Sequence, residues 1–99
     1  MTLAESTVLV VDDEPILRLT FSIVLQRTGA RVLTADDGAE ALRIVEADPV
    51  DLILTDKQMP NVNGMALLRQ LRERGVMTPV ILFVNVLCQK TRQRWNDSA

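Results

Sequence analysis

Three aspartates stand at the ends of two apolar runs: Asp12 and Asp13 follow Val8-Leu9-Val10-Val11, and Asp56 follows Leu52-Ile53-Leu54-Thr55. In a parallel α/β sheet, residues after neighbouring strand ends share one edge, the crevice where such folds bind ligands. Two carboxylates about 5 Å apart repel by roughly 3 kcal/mol at an effective dielectric near 20. A hard divalent cation relieves that repulsion, and an oxygen-only donor set suits Mg²⁺, which keeps several waters and binds through one or two carboxylates plus a phosphate. A carboxylate beside such a metal can also attack phosphorus to give an aspartyl-phosphate. Asp56, alone at its strand end, is the better candidate nucleophile. Taken singly, Asp13 could instead cap the helix that starts at Pro15, and Asp56 could open a turn. Their joint placement after two all-apolar strands favours a site.

The elements that must hold these residues are legible in the apolar periodicity. Thr7 to Val11 reads as a strand covered on both faces. Pro15 suits a first helical turn, and Leu17, Phe21, Val24, Leu25 and Thr28 recur at helical spacing until Gly29. Arg31 to Ala35 reads as a second strand. Asp37 and Glu40 have capping-box spacing for a helix through Ala47 that buries Ala41, Leu42 and Val45. Pro49 breaks the chain before a third strand, Val50 to Thr55. Asn63 can cap a helix with Met65, Leu67, Leu68 and Leu71 on its apolar side and Gly75 at its end. Pro79 to Val84 is a fourth strand, apolar on both faces. Strand–helix alternation of this kind predicts a doubly wound parallel α/β sheet.

Composition bounds the rest. A length of 99 residues sets the expectation of one domain spanning 1–99, and 47% hydrophobic with 24% charged residues is that of a soluble globular protein. A net charge of −2 does not recommend nucleic acid, and Lys90, Arg92 and Arg94 with Trp95 are too sparse a basic patch to change that. No apolar run is long enough to span a membrane and the first residues lack signal-peptide character, so the cytoplasm is the expected location. Cys88 is the only cysteine and reads as a small hydrophobe. The absence of histidine removes Ser-His and Cys-His pairs and histidine zinc sites.

Between about Thr7 and Val84 the sequence resembles the receiver domain of two-component response regulators, as in single-domain chemotaxis regulators. The resemblance rests on Val8 to Pro15, on Asp37-Gly38-Ala39-Glu40-Ala41-Leu42, on Asp51 to Pro60 including Thr55-Asp56-Lys57-Gln58-Met59-Pro60, on Asn63-Gly64 and on Thr78-Pro79-Val80-Ile81. It implies a flavodoxin-like fold of strand order 2-1-3-4-5 and phosphorelay signalling, with Asp56 accepting a phosphoryl group from the phosphohistidine of a sensor histidine kinase or phosphotransfer protein. It implies further that Mg²⁺ is held by Asp13, Asp56 and the backbone carbonyl of Gln58, and through water by Asp12. Gly64 and Met59-Pro60 match the family's turn beside the phosphorylation site.

Two departures stand out. Val84 occupies the place of the family's strand-four Ser or Thr and lacks the hydroxyl that would contact the phosphoryl group. The family's lysine after strand five, its fifth strand and its last helix have no evident counterpart; Lys57 and Lys90 read as solvated. The receiver-like core is therefore placed at 7–85, with 86–99 a divergent segment of a truncated or divergent receiver. An apolar strand four left at an edge predicts self-association, through that strand or through the C-terminal segment. A competing reading is a degenerate receiver acting as a phosphorylation-independent binding module. An enzyme is not expected: phosphotransferases of the haloacid-dehalogenase type carry a second aspartate two residues after the first, and that position is Gln58.

Overall fold

The computed structural model describes residues 4–58 and 63–84. In chain order these form β1 (Thr7–Val11), α1 (Pro15–Gln26), β2 (Arg31–Ala35), α2 (Gly38–Ala47), β3 (Leu52–Asp56), α3 (Gly64–Glu73) and β4 (Val80–Phe83). The strands make one parallel sheet of order β2-β1-β3-β4, the flavodoxin-like order with β1 and β3 at its centre. The expected lack of a fifth strand and last helix, and the divergent segment 86–99, concern residues outside the described ones, as do Met59, Pro60, Cys88, Lys90 and Trp95.

Alternation along β1 divides the core between the two faces. Leu9 and Val11 join Ile53, Ala41, Leu42, Leu67 and Leu71 in a buried cluster beneath α2 and α3. Val8 and Val10 face the other way, against Ala30 and the half-buried Phe21 and Leu25 of α1. All four β1 side chains from Val8 to Val11 are fully buried, as an unbroken apolar run with helices on both sides requires.

The caps read from sequence are formed. Asp37 accepts from the Glu40 N–H at 2.8 Å, and Asn63 accepts from the Ala66 N–H at 2.8 Å. Gly29 and Gly75, past the ends of α1 and α3, have φ of 91° and 80°, the left-handed region that glycine enters without a Cβ penalty. Arg74 of the α3 C-cap pairs with Glu46 of α2.

Some boundaries and faces differ from expectation. β3 begins at Leu52 rather than Val50, because the Asp51 carboxylate takes the Thr7 N–H at 2.8 Å and the Thr78 hydroxyl donates to the Val50 carbonyl at 3.2 Å. β4 begins at Val80, since Pro79 has no N–H to give and contributes only its carbonyl, to Ile53. Val24, Thr28 and Met65, placed on apolar helix faces by their spacing, are exposed. Strand four, expected to be apolar on both faces and at an edge, lies at an edge of the sheet among the described residues, with Ile81 50% exposed.

Candidate functional site

Register brings the aspartates together. Val11 of β1 pairs with Thr55 of β3, so the next residues, Asp12 and Asp56, leave the sheet edge side by side. Each of Asp12, Asp13 and Asp56 offers a carboxylate oxygen, and these oxygens lie within 4.8 Å of one another. Asp12 and Asp56 are fully buried and Asp13 is half-buried. Buried carboxylates are retained where cations or hydrogen bonds compensate their lost hydration.

Local backbone geometry orients both arms. On the β1 arm the Asp12 N–H donates to Ala35 of β2 at 3.1 Å, and Asp12 Oδ1 accepts from the Glu14 N–H at 2.9 Å. The helix α1 has Glu14 at its N-cap with no side-chain cap bond, so Asp13 does not serve as the cap. On the β3 arm Asp56 Oδ1 accepts from the Gln58 N–H at 3.0 Å, and the buried Thr55 hydroxyl donates to the Asp56 carbonyl at 3.2 Å. Lys57 is exposed, as its reading as a solvated side chain requires.

Gly64 closes the floor of the β3 arm. A Cβ at this position would lie 2.6 Å from the Asp56 carbonyl oxygen and 2.9 Å from the Lys57 Cα, and the Gly64 N–H donates to the Lys57 carbonyl at 3.0 Å. Only glycine allows α3 to start this close to the strand end.

The β4 side is built differently. Asp56 pairs with Phe83, which puts Val84 one residue beyond that pairing. Val84 lines an apolar groove of about 300 Å³ with Leu17, Phe21 and Phe83, in which the Phe21 and Phe83 rings stand 5.0 Å apart. A hydroxyl-free side chain at this position continues an apolar surface.

At the mouth of α2, Glu40 carries a carboxyl pKa raised above its usual value, first by desolvation and then by the hydrogen bond and charge of Asp36, with Arg43 opposing. Asp37 adds a smaller upward push.

One residue at the site was not foreseen from the sequence. Arg18 of α1 donates through Nη1 to the Asp12 carbonyl at 2.7 Å. Its only sequence signal is a basic residue in the first turns of the helix that leaves the acidic strand end.

A parallel α/β sheet with an all-oxygen acid cluster at the carboxyl ends of its central strands defines a flavodoxin-like domain with a cation-suited crevice. Residues 8–95 match the family described as the response regulator receiver domain, and the chain belongs to that family. It is 36% identical over 92 residues to the sensor histidine kinase RcsC of Salmonella typhimurium, a match covering 92% of this chain and 10% of that protein. With the alkaline phosphatase synthesis transcriptional regulatory protein PhoP of Bacillus subtilis it shares 39% identity over 75 residues, 76% of this chain and 31% of the relative. The chain thus spans less than a third of either relative. Among solved structures, the chemotaxis protein CheY4 of Vibrio cholerae superposes with a TM-score of 0.79 at 30% identity, covering 95% of this chain and 80% of that one.

Proposed function

We propose that this receiver domain accepts a phosphoryl group on Asp56 from a phosphohistidine of a sensor histidine kinase or phosphotransfer protein. The observation that carries the reading is the convergence of Asp12, Asp13 and Asp56 within 4.8 Å at one sheet edge. An Asp56 carboxylate oxygen attacks phosphorus, the O–P bond forms as the P–N bond to the donor imidazole breaks, and the nitrogen keeps the electron pair. The Gln58 N–H donates to Oδ1 of Asp56 at 3.0 Å and so helps fix the orientation of the attacking carboxylate.

The all-oxygen donor set fits Mg²⁺, which Asp13, Asp56 and the Gln58 carbonyl would hold directly and Asp12 through water. When bound, the ion supplies neutralisation of the charge on the transferring phosphoryl oxygens. The domain is an acceptor in this scheme rather than an enzyme, since Gln58 stands where a phosphotransferase of the haloacid-dehalogenase type would carry its second aspartate. The assembled carboxylates speak for phosphoryl acceptance over a phosphorylation-independent binding module.

Self-association through β4 belongs to the same proposal, supported by exposed Ile81 on β4, an edge strand among the described residues, and by exposed Val84 just past its end. Sedimentation at rising concentration checks it, and a concentration-independent monomer removes it. A cytoplasmic location is proposed from the sequence expectation; among the described residues no helix is long and apolar enough to cross a membrane.

The test of the main reading is incubation with Mg²⁺ and acetyl phosphate, followed by intact mass. One phosphoryl adduct on the parent chain and none on Asp56→Asn is expected; an adduct of equal yield on both, or on neither, contradicts the assignment.

A further inference from the structure

Arg18 departs from its neighbours in a way that solvation does not explain. Ile16 and Leu19 on the same helix are 78% and 61% exposed, yet the arginine between them is half-buried. A long cation is ordinarily the residue left in water. Here its guanidinium turns back past the start of α1 and donates to the Asp12 carbonyl at 2.7 Å, a charge-assisted bond at the short end of the range.

The base of that arm is itself fixed. The Arg18 N–H donates to the Glu14 carbonyl at 3.0 Å, and its carbonyl accepts from the buried Ser22 hydroxyl at 2.7 Å. The Asp12 carbonyl and the Asp13 N–H belong to one planar peptide unit, so a bond that fixes the carbonyl fixes the direction in which Asp13 leaves β1. Asp12 is already held through its N–H by Ala35 and through Oδ1 by Glu14. Pro15 restricts φ at the far end of the turn. The Arg18 bond therefore acts on the segment that carries Asp13 into the cluster.

We infer that Arg18 is a positioning residue of the acid pocket, holding the peptide between Asp12 and Asp13 so that the Asp13 carboxylate meets the cation. The inference rests on the Mg²⁺ reading above. A simple counter-charge has the opposite signature: a guanidinium that acted only through its charge would repel Mg²⁺, and its removal would tighten binding.

Mg²⁺ titration of the whole chain by calorimetry, with the metal alone as probe, separates these roles. Arg18→Met weakens Mg²⁺ binding roughly tenfold, the scale seen when a partner that orients a metal ligand is removed. Arg18→Lys, which keeps a donor, recovers part of the loss. In an Asp13→Asn background Arg18→Met has no further effect, a non-additivity that a general loss of stability does not produce. Unchanged or tighter binding by Arg18→Met, or a loss that persists undiminished in the Asp13→Asn background, overturns the inference. Should Arg18→Met not fold, Arg18→Lys carries the test: weaker binding that Asp13→Asn abolishes supports the role, and binding equal to the parent overturns it. A parent chain that does not bind Mg²⁺ at all brings down the underlying reading and this inference with it, whereas a parent that binds and an Arg18 variant that binds equally well bring down only the inference.

Discussion

The pocket has two sides that were built to different rules. On the side of β1 and β3, fully buried Asp12 and Asp56 emerge in register, each carboxylate takes a backbone N–H two residues on, and Gly64 lets α3 begin against the strand end. On the side of β4, the residue next to the Asp56 pairing is Val84, 48% exposed and lining an apolar groove with Phe21 and Phe83. One side concentrates negative charge at the cost of stability, as sites that bind cations do. The other offers packing surface and no hydrogen-bond donor from its side chain. The difference teaches that an acid cluster and the apolar surface beside it are set by different strands of one sheet edge, so that, on the proposed function, accepting a phosphoryl group and sensing it would be separable tasks.

The sharpest way to break the acidic side without touching a carboxylate is Gly64→Ala. With the added Cβ 2.6 Å from the Asp56 carbonyl, backbone must move, and a stability loss of at least about 2 kcal/mol is expected in urea unfolding, together with a lower yield of phosphoryl adduct. Retention of full stability would mean that α3 and the β3 end are less tightly apposed than described.

On the β4 side, Val84→Thr replaces a methyl by a hydroxyl in a half-exposed groove and should cost no more than about 1 kcal/mol. Adduct yield with acetyl phosphate should stay at the parent level, while hydrogen exchange in β4 should respond to phosphorylation in the threonine variant and not in the parent. An equal response in both chains would show that the β4 side senses the phosphoryl group without a hydroxyl.

The smallest effect expected lies away from both sides, at Glu40. Its folded-state pKa is raised, by desolvation first and by Asp36 second, so folding favours the protonated form. The stability this contributes is fully present below the unfolded pKa and is lost as pH rises through the folded one. Glu40→Gln should therefore add on the order of a few tenths of a kcal/mol at neutral pH, the scale of solvent-screened pairs, and nothing in acid. Thermal unfolding of the two chains across pH checks the sign, which a gain confined to acid would reverse.

How much of this was legible in the sequence depends on how local each signal was. The continuous apolar runs ending in Asp12 and Asp56, and the caps Asp37 and Asn63, declare themselves within a few residues, and the structure realises them. Helical spacing marks which residues share a face, not how much of that face is covered, which is why Val24 and Met65 read as interior and stand exposed. Arg18 escaped because a side chain that bonds a backbone carbonyl six residues earlier leaves no pattern in composition or period. The strand-three boundary escaped for a related reason, since the bonds at Asp51 and Val50 come from Thr7 and Thr78, far along the chain.

The central claim, that three carboxylates from two strand ends form a single cation site around Asp56, is tested most directly by the thermal shift that Mg²⁺ produces in the parent chain and in Asp56→Asn. In metal-free buffer the variant should unfold at the higher temperature, because one of three like charges within 4.8 Å has been removed. Added Mg²⁺ should then raise the Tm of the parent more than that of the variant, as binding to the folded state alone requires. Equal shifts in the two chains would contradict the claim.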